Sequence, residues 1–244
     1  LVQAAWRMAP AGTAIVAAAH PHAADHESGW RALKVVDDAK RSIAGALGVD
    51  PDELIFTSGA TESNNLAILG LARRSRQPRT RILVSAIEHK SVLATARNAA
   101  RLGCTVEMIP VDSEGLVELS HFRELLGPDV LLVSVMAVNN EVGSVQPIAA
   151  IAEYTHASGA YLHTDAAQAL AVDPYAPSTW DADLMSLSGH KIYGPKGIGI
   201  LLVRREVQAR LEPLMYGGGQ QEGLRPGTLP VPLCAGLAAA VELM

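Results

Sequence analysis

From Trp30 to Leu47 the apolar residues Trp30, Leu33, Val36, Ala39, Ile43 and Leu47 recur every three or four positions. That period lays one stripe of a helix against a core, and Gly48 followed by Pro51 closes the segment. An amphipathic helix is therefore predicted. "LIFTSG" then reads as a short strand, and "ATESNNLAILGLA" resumes helical spacing from a Gly-rich turn. The same alternation runs on through strand "RILVS", helix "SVLATARNAARLG", strand "TVEMIPV", helix "SHFRELLG", strand "VLLVSVM", helix "IAAIAEYTHASG" and strands "AYLHTD", "ADLMSLS" and "GIGILLV". Strands separated by helices need crossover connections, so the pattern predicts an α/β fold: a three-layer sandwich around a mainly parallel, buried sheet. No internal repeat or low-complexity linker interrupts it.

In an open parallel sheet, ligands bind beyond the carboxyl ends of the strands. The residues at those exits are Gly59, Ala60, Thr61 and Glu62; then Glu88 and His89; then Asn139, Asn140 and Glu141; then Asp165 and Gln168; then Ser188, His190 and Lys191. Polar groups at every one of these exits, all at one end of one sheet, describe a site.

Composition narrows the class. The chain has 244 residues, 49% hydrophobic and 18% charged, enough for one large core or one core with a small lobe. A formal charge of -5 and a pI near 5.9 argue against a nonspecific nucleic-acid or membrane-surface binder. The basic run "RRSRQPRTR" at 73–81 reads as a solvated connection between helix and strand. Cys104 and Cys234 offer neither a disulfide framework nor metal-binding spacing, which suits a reducing compartment, with cytoplasm as the expected location. The apolar N-terminal segment is broken by Arg7, Pro10 and Gly12 well short of a membrane span, and it gives little support to a signal peptide. The absence of an initiating Met and the apolar helical ending "AGLAAAVELM" suggest that both ends are cut.

The exits carry candidate chemistry. A helix N-terminus after "TSGAT" offers free N–H groups, with the Ser58 and Thr61 hydroxyls beside them, as a phosphate cradle. Taken alone, "SGAT" reads equally as a plain helix cap. Neither GxGxxG nor GxxxxGK[ST] occurs, so the usual nucleotide fingerprints lack support. Lys191, held at a strand end, partly desolvated and near cations, could form a Schiff base with an aldehyde. Asp165 could hold a pyridine nitrogen protonated, or cap a helix; His89 could stack on a ring and move protons. Lys196 reads as a loop lysine, Lys34 and Lys40 as the polar side of the first helix, and Lys90 as an exposed cation. "HPHAADHE" places His20, His22, His26, Asp25 and Glu27 together, but at spacing too irregular to favour zinc.

Six motifs, "FTSGATESNNLAI", "EHKSVL", "VNNEVGSVQPI", "HTDAAQA", "LMSLSGHKIYGPKGIGIL" and "GGGQQEGLRPGTLPV", resemble in order those of the cysteine desulfurases, within the class V aminotransferase group of pyridoxal phosphate enzymes. The resemblance covers most of residues 28–240. It implies the large domain of a pyridoxal phosphate-dependent transferase over 31–244, an N-terminal segment and active-site loop over 1–30, and a C-terminal small domain absent from this chain. It further implies that Lys191 binds pyridoxal 5'-phosphate covalently, Asp165 pairs with the pyridine nitrogen and Gln168 bonds the ring hydroxyl oxygen. His89 would stack on the ring and assist proton transfer, and Asn140 would sit near ring and substrate. Thr61, Ser188 and His190 would hold the phosphate, and Thr228 would reach the phosphate of the neighbouring subunit in a homodimer. L-cysteine is the implied substrate. Its sulfur would pass to a mobile-loop cysteine in the C-terminal lobe, leaving alanine, and on to an acceptor such as an iron-sulfur scaffold; neither nucleic acid nor membrane is involved. Neither Cys104 nor Cys234 resembles that loop cysteine. The family's substrate-gripping C-terminal arginine lies beyond the end, its "ATTP"-like turn is missing, and His20-Pro21 stands where it has Asn-Pro. Selenocysteine lyase or another class V enzyme is the nearest alternative, and a noncatalytic dimerising remnant is a further one. The joint presence of Lys191, Asp165, Gln168, His89 and His190 disfavours the remnant.

Overall fold

The computed structural model describes residues 20–22, 26–75, 78–172 and 176–244. The apolar N-terminal segment, most of the implied 1–30 loop, Asp25 of the metal reading and part of the 73–81 run lie outside the described residues.

The first helix, α1 (Glu27–Leu47), starts earlier than the apolar spacing suggests, and Trp30 does not belong to its core stripe. Trp30 is 54% exposed beneath the Lys34 ammonium, while Ala32, Val36, Ala39, Ile43 and Leu47 form the buried face. Gly48 ends the helix at φ 67°, the left-handed conformation that costs a residue with no Cβ least. Strand β1 (Leu54–Thr57) follows, then α2 (Ala60–Arg73), β2 (Arg81–Ser85), α3 (Lys90–Ala99), β3 (Thr105–Ile109), α4 (Leu119–Leu125), β4 (Val130–Ser134), α5 (Ile148–Ala157), β5 (Tyr161–Asp165), α6 (Ala176–Thr179), β6 (Leu184–Ser188), β7 (Gly199–Val203), α7 (Arg205–Gln208) and α8 (Val231–Glu242).

The strands form one seven-stranded sheet in the order β1-β7-β6-β5-β4-β2-β3. Strands β2 to β6 run parallel, as the βα alternation predicts. β7 runs antiparallel to both β6 and β1. The connection over 189–198 is too short for a helical crossover, so the chain must turn straight back. Two reversals leave β1 pointing the same way as β6, and the loops after both strands open at one end of the sheet.

Helices cover both faces. On one side α1, α5 and α8 bury Val36, Ile43, Ile148, Ile151 and Leu237 against the sheet; on the other α2 and α3 bury Leu66, Ile68, Leu71, Val92 and Ala96. The central strands β4, β6 and β7 are therefore buried at every position, whereas the edge strand β3 exposes Met108. No helix of the described residues is long and apolar enough to cross a membrane.

Candidate active site

At the carboxyl ends of the parallel strands lies a cavity of about 520 Å³. One wall is the turn from β1 into α2. Gly59 caps α2 with no side-chain hydrogen bond, so the first-turn N–H groups of Ala60 and Thr61 keep their donor capacity at the cavity edge. The turn is fixed from behind. Ser63 donates its hydroxyl to the Ile200 carbonyl (3.0 Å) and shares a 2.8 Å hydrogen bond with Thr57. Gly199 at the start of β7 packs so closely that a Cβ there would lie 2.6 Å from both the Gly59 Cα and the Leu187 carbonyl oxygen. Glu62 accepts the Ser58 N–H (2.7 Å) and pairs with Arg225 (2.8 Å). Burial works against its ionisation, but these hydrogen bonds outweigh burial and hold the carboxyl below its ordinary value.

The floor comes from β5. Asp165 is 4% exposed; its carboxylate accepts from Asn64 Nδ2 (2.7 Å) and the Ala167 N–H (3.0 Å). The second bond closes a local turn, so Asp165 does not cap a helix. Burial nevertheless pushes its carboxyl above the usual range. Beneath it on the same strand, His163 is fully buried between Ser134 (2.8 Å) and Ser186 (3.0 Å), and burial lowers it to about 3, so the ring is neutral. Gln168 lines the cavity a few residues further on.

The β2 exit splits its two predicted residues. Glu88 turns inward, away from the cavity: one carboxyl oxygen accepts from Ser85 Oγ (2.9 Å) and from the Met136 N–H, while the other has no partner. Burial, and then the charge of Asp165, pushes it up to about 8. His89 turns outward, lines the cavity and caps α3, its Nδ1 accepting the Ser91 N–H at 3.1 Å. At the β4 exit, Asn139 folds its own loop by accepting from the N–H groups of Glu141 (2.8 Å) and Val142 (2.9 Å). That leaves Asn140 at the cavity and Glu141 exposed outside it.

The last wall is the one-turn helix Gly189–Ile192 after β6. It brings in Ser188, His190 and Lys191, with Ser188 Oγ and His190 Nδ1 2.9 Å apart. Burial and then the charges of Lys191 and Lys196 lower the His190 pKa. Lys191 is exposed, in contrast to the partly desolvated lysine expected from the sequence. The turn carries it past the end of the buried strand. Lys196, read above as a loop lysine, also lines the cavity, because β7 begins at this end of the sheet.

Thr61, His89, Asn140, Asp165, Gln168, Ser188, His190 and Lys191 thus share one cavity. Thr228 does not line it; its hydroxyl lies 2.9 Å from His20 Nε2 at an exposed position. Sequence reasoning missed Asn64 and the Glu62–Arg225 pair. Asn64 lies three residues beyond Thr61 on the same helix, where a polar residue reads as a solvated face, and nothing local could pair residues 163 positions apart. Cys104 and Cys234 are buried with thiols pushed up by burial, Cys234 to about 12, so neither is a ready nucleophile. Among the described residues no group of three or more His, Cys, Asp or Glu is placed to hold a metal ion.

The arrangement suits a ligand carrying an anion at one end, for the α2 N-terminus, and a cationic N–H at the other, for Asp165. The Aminotransferase class-V family model matches residues 14–244. The cysteine desulfurase of Mus musculus is 46% identical over 224 residues, 92% of this chain and 49% of that protein. The mitochondrial cysteine desulfurase of Drosophila melanogaster is 46% identical over 224 residues, 92% of this chain and 48% of that protein. Among solved structures, DndA from Streptomyces lividans superposes with a TM-score of 0.83 at 48% identity, over 89% of this chain and 62% of its own. SspA in complex with cysteine superposes with a TM-score of 0.89 at 40% identity, over 99% and 68%. The chain spans about half the length of the curated relatives it matches.

Proposed function

The chain belongs to the class-V aminotransferase family, and on that premise we propose that it is the pyridoxal 5'-phosphate-binding domain of a cysteine desulfurase. The observation that carries the reading is one cavity in which an amine at 191 and a buried carboxylate at 165 lie beside an uncapped helix N-terminus. Pyridoxal 5'-phosphate, when bound, supplies an aldehyde that captures amines and a pyridinium ring that delocalises electrons released at Cα.

The residues present fit that group. Burial of the Asp165 carboxyl is unfavourable as it stands, and a cationic ring N–H is the partner that would offset it. The first turn of α2 presents N–H donors with no side-chain cap to compete for them, which suits a phosphate. Thr61, Ser188 and His190 would complete that phosphate site, Gln168 would hold the ring hydroxyl oxygen, and His89 would face the ring with Asn140 near the substrate. Lys191, exposed and without an ion pair among the described residues, has its amine available for the aldehyde.

L-cysteine is the proposed substrate. The names of the relatives and the cysteine complex of SspA support it. Sulfur acceptance is assigned to neither Cys104 nor Cys234, both buried. In this reading a second copy of the chain faces the exposed Thr228, and a sulfur-acceptor protein such as an iron-sulfur scaffold receives the product. The test is reduction with borohydride after addition of pyridoxal 5'-phosphate, followed by peptide mapping. A phosphopyridoxyl group on Lys191 is expected; labelling of another lysine, or none, overturns the proposal.

A further inference from the structure

Asp165 and His89, on different strand exits, are joined by an unbroken hydrogen-bond chain whose direction can be read. Asn64 is fully buried, and its Nδ2 contacts both Asp165 Oδ2 (2.7 Å) and Ser91 Oγ (2.9 Å). An amide nitrogen only donates, so both neighbours accept. The flipped amide would set Oδ1 against a carboxylate oxygen, which fixes the orientation. Both donors of the amide are then committed to the chain, and Asn64 Oδ1 is buried with no partner among the described residues. Ser91 Oγ, having accepted, has its proton free for His89 Nδ1 at 2.7 Å. The backbone N–H of Ser91, which can only donate, reaches the same nitrogen at 3.1 Å. Two donors converge on Nδ1, so Nδ1 carries no proton.

We infer that Asn64 and Ser91 are positioning residues which lock neutral His89 in the tautomer protonated on Nε2 and tie its orientation to Asp165. The cavity therefore meets an N–H donor at His89, not a lone pair. Resting on the cofactor reading above, this makes His89 a hydrogen-bond donor to bound substrate or cofactor through Nε2, and makes a base at Nε2 incompatible with the neutral resting ring. The capping role is the reason: the same lone pair cannot both end α3 and face the cavity.

The test is a long-range proton-nitrogen correlation spectrum of the chain labelled with 15N-histidine, the His89 signals being assigned by their loss in His89→Asn. A bare Nδ1 and protonated Nε2 are expected. Ser91→Ala keeps the backbone donor and should keep that tautomer. Ser91→Pro removes both donors at a first-turn position that tolerates proline, and should raise the Nδ1-protonated population severalfold. A proton on Nδ1 in the wild-type chain or in Ser91→Ala, or a Ser91→Pro spectrum identical to that of Ser91→Ala, overturns the assignment. Should Ser91→Pro not fold, the other two spectra still decide. The link to Asp165 is tested by titrating pyridoxal 5'-phosphate: Asn64→Ala should weaken its binding roughly tenfold while far-ultraviolet circular dichroism is unchanged. Unaltered affinity would break the link. Because the tautomer is measured without cofactor, it can fail or hold independently of whether Lys191 captures pyridoxal 5'-phosphate.

Discussion

Two walls of the one cavity are built on opposite terms. The wall of Asp165, with Asn64 and Glu88 behind it, is buried, and apart from one oxygen each on Asn64 and Glu88 its polar atoms are held by protein partners. The wall of His190, Lys191 and Lys196 is exposed and, among the described residues, carries one side-chain hydrogen bond, between Ser188 and His190. Groups that must keep a fixed direction have lost their water and gained hydrogen bonds, at the cost of a desolvated carboxyl. The amine that must move keeps its freedom. Polar groups held without reorganisation are worth most where water is excluded, whereas a nucleophilic amine needs reach.

The contrast is broken most severely at the open wall. Lys191→Ala should abolish the borohydride-stable adduct with pyridoxal 5'-phosphate, yet change the midpoint of thermal unfolding little, because an exposed side chain with no partner among the described residues contributes under about 0.5 kcal/mol. A large loss of stability in this variant would show that the two walls are not differently built.

The buried wall should respond the other way, in stability and with pH. Glu88 is raised from 4.5 to about 8. Its folded form therefore binds the proton more tightly than the unfolded chain, and stability from this group is fully present below pH 4.5 and lost as pH rises towards 8. Across that window the loss is on the order of 4 kcal/mol. Glu88→Gln, a neutral isostere that can still accept from Ser85 and Met136, should match the wild type near pH 5 and exceed it at pH 8 in urea unfolding. Asp165 is raised as well, so a shallower slope of the same sign should remain. Equal slopes for the two proteins would contradict a protonated Glu88.

Where the walls meet, the constraint is steric. Gly199→Ala places a methyl 2.6 Å from backbone atoms of both Gly59 and Leu187, neither of which can rotate away. The variant should lose about 2–3 kcal/mol in the same urea titration; a loss under about 0.5 kcal/mol would mean that the seam is slack.

What the sequence made legible follows the same division. Strand exits announce themselves by the switch from apolar runs to Gly, Asn, Asp and His, so the residues facing the cavity could be named before the fold was known. The supports behind them could not. Asn64 and Ser91 sit inside helical spacing, where a polar residue ordinarily signals a solvated face. Glu88 and His89 are adjacent, and no local pattern says that the first turns inward and the second outward. Trp30 fitted a three-to-four spacing yet is exposed, because the buried stripe passes through Ala32 instead. Local periodicity encodes which element a residue belongs to; which groups meet across the sheet is decided by tertiary packing.

The smallest expected effect lies at the loop spanning 217–228, which braces the α2 turn from outside. Arg225 reaches the Glu62 carboxylate with Nε at 2.8 Å and Nη2 at 3.4 Å. Gln221, held at φ 51°, pairs with both backbone groups of Phe56, accepting its N–H at 2.7 Å and donating to its carbonyl at 2.9 Å. Both contacts tie the same loop to the same strand and turn. Arg225→Ala should therefore cost only about 1–2 kcal/mol, since Gln221 keeps the loop in place and Glu62 retains the Ser58 N–H. Its carboxyl, no longer held down by Arg225, is then opposed by burial with only the Ser58 bonds against it and its pKa rises, so the stability that the wild type loses as acid protonates Glu62 shrinks in the variant. The double variant Gln221→Ala, Arg225→Ala separates a shared brace from two independent contacts. If either contact alone can hold the loop, the pair should lose about 0.5–1 kcal/mol more than the sum of the single losses. Strict additivity in a double-mutant cycle would mean that the two residues act separately and that the loop is not a shared brace.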